Sequence, residues 1–429
     1  MKSLGRFSIG VGDRFAHQAP AQLRACIQAA EAGAVVTPVW NKSNREHTII
    51  GSEPSETRVA ADAAVRQLGW HQPYFCDADH INLRTVDRFL EPCDFFTIDV
   101  ADQIGVVAAQ AELDAFMHRR SGLIGRMELP GISEPLSIMR ADLERVGRHY
   151  LAAVLEAAKT YRYLEQAKGR GAFLTEVSMD ETDAPQTPVD LLLILAALAD
   201  AGVPLATIAP KFTGRFNKGV DYVGDTRTFA RELEQDMAVV RYAVGAFGLP
   251  AELKLSLHSG SDKFSIYSAI HGAITKMNSG LHLKTAGTTW LEEVIGLAES
   301  GGDALALVKE IYAEAYAHRD ELCAPYAAVI DIDASQLPAP AEAQRWTAAQ
   351  WTGALRHDPR SPTYNSSLRQ LMHVGFKVAA KMGSRYTAML EQCEERVAEN
   401  VTRNLFERHI RPVFLGADVA TAGPERVRN

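Results

Sequence analysis

The sequence predicts an α/β protein, a (β/α)8 barrel with an insertion after the fourth strand and a helical C-terminal extension. Eight short apolar runs recur down the first two-thirds of the chain, helical patterns separate most of them, and beyond Trp290 the chain is almost wholly helical. Parallel strands joined by crossover helices require this alternation. Eight strand segments, one per βα unit, favour a closed barrel over an open doubly wound sheet.

In order, the strands read FSIGVG from Phe7, AVVTPVW from Ala34, PYFCDAD from Pro73, DFFTIDV from Asp94, GAFLTEVS from Gly171, PLATIAPK from Pro204, ELKLSLHS from Glu252 and GLHLKTAG from Gly280. Thr187-Pro188 opens a helix, a capping hydroxyl followed by proline where a missing N–H does no harm, and Gly202 closes it. Phe229, Leu233, Met237, Val240, Val244 and Phe247 form the apolar stripe of another helix, stopped by Gly248 and Pro250. The stretch from Ala101 to Arg170 exceeds one crossover, and its middle, Ile124 to Pro135, is rich in glycine and proline; it predicts a helical insertion at about 106–170. The barrel is thus expected over 1–300. A helical extension follows over 301–420, broken by the proline- and alanine-rich Leu337 to Gln344, and then a disordered polar tail at 421–429.

Composition narrows the function classes. The formal charge is −8 over 429 residues, with basic residues scattered rather than striped, so nucleic acid is not an expected partner. The opening MKSLGRFSIG has no signal core, and no apolar run nears the roughly 20 residues that span a bilayer, so a cytoplasmic protein without membrane contact is expected. Cys26, Cys76, Cys93, Cys323 and Cys393 form no CxxC pair and are expected to be reduced and mostly buried. Gly10-Val-Gly12-Asp13-Arg14 lacks the third glycine of a dinucleotide fingerprint, and no GxxxxGK[ST] loop exists, so no motif indicates NAD or ATP.

Barrel chemistry sits where strands end, which selects Asp77, Asp79 and His80 on the third strand, Asp99 and Asp102 on the fourth, and Glu176, Ser178 and Asp180 on the fifth. Lys211 ends the sixth, His258 the seventh, and His282 and Lys284 lie on the eighth. Imidazoles and carboxylates converging from separate strands suit a divalent metal bound by nitrogen and oxygen, with Asp79 or His80, Glu176 and His258 as the preferred ligands. Alternation sets a condition: His258 points inward only if Ser256 does. His282 lies deeper, where a structural role is expected. Lys211 to Lys218 gathers three cations around a glycine, with Arg215 and Lys218 suited to gripping a carboxylate. Ser259 to Lys263 opens a helix whose amides either hold an anion, with Ser259 and Lys263 on the substrate, or are capped by Ser261.

At DADHINL from Asp77, TEVSMDET from Thr175, APKFTGRFNKGVDYVGD from Ala209, SLHSGSDKF from Ser256 and HLKTAGTTWLEE from His282, the chain resembles the tagaturonate epimerases, and the resemblance runs over nearly its whole length. It implies interconversion of D-tagaturonate and D-fructuronate with a divalent metal, whether Zn, Mn, Ni, Co or Fe, with a hexuronate as the small-molecule partner and a homo-oligomer left open. The inverted centre is carbon 4 of a 2-ketose, so enolisation at carbon 3 would invert the wrong atom. A retro-aldol break between carbons 3 and 4, with re-addition on the other aldehyde face, inverts the right one, a metal stabilising the enolate oxygen. For this chemistry Asp99 or Glu176 is expected as base, Lys211 or Lys284 as carbonyl or alkoxide stabiliser, and Arg215 with Lys218 as carboxylate clamp. Transient oxidation at carbon 4 competes but needs a nicotinamide. The alternatives are a metal-dependent sugar-acid aldolase and a non-catalytic sugar-acid binding protein.

Overall fold

In a computed structural model of the chain, which describes residues 2–180 and 182–417, ten strands form one barrel and one hairpin. The barrel strands are β1 (Phe7–Val11), β2 (Val36–Ser43), β3 (Phe75–Ile81), β4 (Phe95–Asp99), β7 (Leu174–Ser178), β8 (Thr207–Ala209), β9 (Lys254–His258) and β10 (Leu281–Lys284). They close in chain order, β10 pairing back to β1, and every pair is parallel. β5 (Gly125–Met127) and β6 (Leu136–Ile138) form the antiparallel hairpin. The expected closed barrel is therefore present.

The crossover elements follow from local chemistry. Thr187 caps its helix, Pro188–Asp200, by accepting from the Asp190 N–H, and Gly202 leaves in the left-handed region at φ +73°. The striped helix runs Thr226–Phe247, capped by Asp225 and ended by Gly248 at φ +69°. Between β4 and β7 the 29-residue helix Arg140–Lys168 buries Ala153, Val154, Ala157, Ala158, Tyr161 and Leu164 in the barrel core, so it serves as the crossover itself. The added material ahead of it is the helix Gln110–Arg120 and the β5–β6 hairpin. From β3 to β4 the chain makes only the short turn Val86–Phe89.

Side chains alternate along each strand, so the lumen is built in layers. Val39, Phe75, Phe95 and Leu174 pack with Leu4 into an apolar plug. Two residues further along their strands lie Asn41, Asp77, Thr97 and Glu176, all buried. Along β2, β3, β4 and β7 the lumen is apolar toward the strand starts and polar toward the strand ends.

Helix Thr288–Ser300 and those after it form a second core around Trp290, Trp351, Tyr312 and Tyr386, which reaches the barrel through Phe15 and Ala21. The last helix, Asn404–Leu415, returns to the barrel core through Leu405, Ile410, Val413 and Phe414, whose ring centroid is 5.0 Å from that of Phe7. All five cysteines are free thiols, Cys26, Cys76 and Cys93 buried, Cys323 and Cys393 partly so. Among the described residues no helix is long and apolar enough to cross a membrane. The tail at 421–429 lies outside the described residues.

Candidate active site

The polar mouth is organised by one cation. Lys284 ends β10 with its side chain turned into the lumen, where its ammonium lies 2.8 Å from Asp77, 2.7 Å from Asp79 and 3.1 Å from Glu176, and donates to Thr97 Oγ1 at 2.6 Å. Burial alone would favour the neutral amine, but the three carboxylates outweigh it and hold Lys284 well above its ordinary value. In return Asp79 is held at about 2, its burial overcome by Lys284 and His80. Asp77 goes the other way, pushed up to about 6, because burial and the neighbouring Asp79 and Glu176 exceed what Lys284 returns. Lys284 is thus a fixed positive charge.

His258 satisfies the alternation condition: Ser256 is fully buried in register with His282, and His258 follows it inward. Its Nε2 lies 2.8 Å from Glu176 Oε1 and its Nδ1 3.0 Å from Asp180 Oδ2. Burial opposes the imidazolium, yet Asp180 and Glu176 prevail and raise His258 to about 9. Glu176 is wholly buried, accepts from Thr207 Oγ1 at 2.6 Å and Thr97 Oγ1 at 3.3 Å, and stays well below the usual carboxylate range because Lys284 and His258 offset its burial. His282 lies one layer down, bonded through Nδ1 to Ser8 Oγ at 2.9 Å, and burial lowers it to about 3. Its place below the mouth fits a structural role.

Between Ala78 and Ile81 the β3–β4 register shifts, and His80 adopts φ +51°, a left-handed conformation that non-glycine residues rarely take. Regular alternation would send His80 outward. The bulge instead lets Asp79 and His80 both face the mouth, Asp79 toward Lys284 and His80 toward His258, whose ring centroid is 5.4 Å away. His80 Nδ1 is 3.7 Å from Asp99 Oδ2, and this contact keeps Asp99 low against its burial. Strain of this kind at a strand end marks a position whose aim matters.

His80, Asp180 and His258 each offer a ligand atom, all within 4.8 Å of one another. Two imidazoles and a carboxylate suit a divalent ion of the Zn, Mn or Fe kind. A second fit comes from His258 itself: a proton held between Glu176 and Asp180 occupies a spot built for positive charge, which a cation can take over. Glu176 on His258 stands as an orienting carboxylate behind the ligand ring, and Asp99 lies beside His80. Sequence reasoning included Asp180 among strand-end polar groups but not among the ligands. The signal was there, since Glu176, Ser178 and Asp180 continue the inward alternation of β7.

The other sequence-predicted residues lie farther out or are already engaged. Lys211 Nζ donates to the Thr182 carbonyl. Arg215 is half-exposed and pairs with Asp331 at 3.3 Å. Lys218 reaches back over the turn at Gly260. Ser259 Oγ donates to the Lys284 carbonyl at 2.8 Å. Lys263 is wholly buried, its ammonium among the Asn217, Val220 and Asp262 carbonyls and Ser261 Oγ, and burial lowers it to about 7. It ties the loop after β8 to the loop after β9. Ser261 does not cap the following helix, Phe264–Lys276; it accepts from Gly219 N at 2.9 Å, while Asp221 accepts from the Ser265 N–H. Asp102 is exposed on Arg84.

The family model described as tagaturonate epimerase matches residues 2–411. A relative from Thermotoga maritima, named a tagaturonate/fructuronate epimerase, is 29% identical over 420 residues, which cover 94% of this chain and 80% of that protein. The glycerol-complexed crystal structure of a fructuronate-tagaturonate epimerase from Cohnella laeviribosi matches with a TM-score of 0.79 at 24% identity, covering 96% of this chain and 82% of the other. The native crystal structure from the same organism gives 0.77 over the same shares. At that identity the structural likeness concerns the fold.

Proposed function

The chain belongs to the tagaturonate epimerase family, and from that premise we propose that it interconverts D-tagaturonate and D-fructuronate by inverting carbon 4 of the 2-keto sugar acid. The observation that carries this reading is the convergence of His80, Asp180 and His258 beside the fixed Lys284 ammonium at the one polar mouth of the barrel. These three residues would hold a divalent metal, which when bound supplies Lewis-acid stabilisation of the oxygen that gains charge as the C3–C4 bond breaks.

The protein groups suit a retro-aldol and aldol cycle. A base takes the proton from the carbon-4 hydroxyl, the C3–C4 electron pair moves to the carbon-2 oxygen, and the new aldehyde turns before the bond re-forms on its other face; the proton then returns to oxygen 4. Asp99 suits the base, because it retains partial exposure at the mouth, whereas Glu176 is fully buried and saturated by Lys284, His258, Thr97 and Thr207. Lys284, held protonated with its N–H bonds directed at Asp77, Asp79, Glu176 and Thr97, supplies a fixed positive charge near developing oxyanion charge and is not available as a Schiff-base amine. The apolar plug of Leu4, Val39, Phe75, Phe95 and Leu174 closes the lumen below this polar layer.

NMR of the protein with D-fructuronate tests the reading: the D-tagaturonate signal grows with time, EDTA stops it, and a divalent ion restores it. Accumulation of free three-carbon products would make the chain an aldolase. Tight binding without conversion by the metal-replete protein would make it a binding protein.

A further inference from the structure

One corner of the mouth gathers cations around two buried nitrogens, Arg14 Nη1 and His373 Nδ1, that have no hydrogen-bond partner among the described residues. Arg14, in the loop after β1, is 7% exposed; Glu46 binds its Nε at 2.9 Å and the Phe376 ring lies 4.2 Å from its guanidinium carbon, yet Nη1 is buried with no partner among the described residues. His373, on the helix Ser366–Val374 of the C-terminal extension, is 2% exposed, and its Nδ1 likewise has none. The His373 ring lies against the turn in which Gly287 N donates to Gly260 O at 2.9 Å; a Cβ on Gly287 would meet His373 Cε1 at 2.4 Å. A Cβ on Gly260 would come within 3.2 Å of Lys218 Nζ, so Lys218 occupies the same turn.

The charges that act on His373 are cationic. Burial keeps His373 well below its ordinary value, and Arg14, Lys218, Arg369 and Lys263 push it the same way. Arg369 is neutralised by Asp262 at 2.7 Å, and Lys263 is enclosed by its four oxygens. Of the acids nearby, Asp13 and Glu293 are both driven toward their neutral forms by burial. Glu46 serves one side of Arg14 only and feels Asp79, so the corner borders the Lys284 network. Buried donors rarely go without acceptors, and an anion between Arg14 and His373 would satisfy both.

We propose that Arg14, His373 and Lys218 form the subsite for the carboxylate of the keto sugar acid, so that the C-terminal helical extension takes part in substrate recognition. This rests on the ketouronate reading above, and it transfers the clamp from the half-exposed Arg215 to the buried Arg14. Neutral His373 donates from Nδ1 and Arg14 from Nη1, while Lys218 adds charge. Fixing the acid end leaves carbon 4 between this corner and the triad.

Full-length wild type, Arg14→Gln, Arg14→Lys and His373→Asn are compared by KM and kcat on D-fructuronate and on D-fructose, which carries an alcohol in place of the acid. Losing a hydrogen bond to a charged group should raise KM for D-fructuronate about 10- to 100-fold in Arg14→Gln, with kcat nearly kept. Arg14→Lys should recover part of this, His373→Asn should fall between, and D-fructose turnover should stay within about twofold of wild type, since its alcohol never used the missing donor. Equal losses on both sugars, or an unchanged KM, overturn the subsite. If wild type converts neither sugar, the epimerase reading has failed by itself. Calorimetric binding of D-fructuronate then decides the subsite separately: affinity weakened by Arg14→Gln upholds it, and equal affinity overturns it.

Discussion

The Lys284 ammonium stands 2.8 Å from the Asp77 carboxylate inside a barrel layer that solvent does not reach, and Asp79 and Glu176 share the same cation. Removing one partner from such a cluster leaves uncompensated buried charge. Lys284→Met should therefore cost about 3–5 kcal/mol in urea unfolding and abolish epimer formation. Lys284→Arg should not rescue it, because Asp77 at 2.8 Å, Asp79 at 2.7 Å, Glu176 at 3.1 Å and Thr97 at 2.6 Å enclose the ammonium and leave no room to seat a planar guanidinium. An Arg variant of wild-type stability and rate would refute the role given to this cation.

Loss of a proposed ligand should separate from loss of an orienting group. Asp180→Asn and His258→Gln should leave the EDTA-treated protein unable to retain a divalent ion through dialysis. Glu176→Gln, behind the His258 ring, should weaken metal affinity by about 10- to 100-fold. Titration with Mn²⁺ or Co²⁺, followed by elemental analysis, reads both effects. Undiminished metal content in Asp180→Asn would exclude it as a ligand.

The barrel was legible because eight short apolar runs recur with helical patterns between most of them, and each such unit restates the same rule. Much of the site was legible from strand ends alone: His258, Glu176, Lys284 and Asp99 all line the mouth. What eluded the sequence was burial and local distortion. The bulge that turns His80 inward has no proline or glycine to announce it, so Asp79 and His80 read as alternatives when both face the mouth. Lys263 reads as a substrate-binding residue where a helix opens, and only the packing of the β8 loop against it reveals an enclosed tie. Arg14 and His373 are 359 residues apart in numbering, and no local pattern links them.

Acidification should weaken the native state through His47. This imidazole is buried against Ser52 Oγ at 3.0 Å, and burial, with Lys42 and Arg88, lowers it to about 3. The unfolded chain takes up that proton near pH 6.5 and the native state does not, so the unfolded state binds more protons across this window and stability is lost as the pH is lowered through it. From pH 7 to pH 5 the contribution lost is about 2 kcal/mol. His47→Gln should flatten this part of the profile when urea midpoints are compared at the two pH values. Parallel profiles for variant and wild type would contradict it.

Gly12, just past the end of β1, should prove to serve barrel closure. A Cβ on Gly12 would lie 2.4 Å from the Ala286 carbonyl oxygen and 3.0 Å from its Cα, both backbone atoms that cannot rotate away. Gly12→Ala should therefore destabilise the protein by about 1–3 kcal/mol, as overpacking does. Because Ala286 is two residues beyond Lys284, it should also depress activity out of proportion to the fraction unfolded. Gly245 provides the contrast: it is exposed inside helix Thr226–Phe247 with nothing within 4 Å of a Cβ, so Gly245→Ala should add about 0.5–1 kcal/mol and leave the rate alone. Denaturant midpoints and turnover of the two variants measure both signs. A Gly12→Ala protein as stable and active as wild type would mean that β1 and β10 can part without disturbing Lys284, and would remove the physical reason given for the glycine pair.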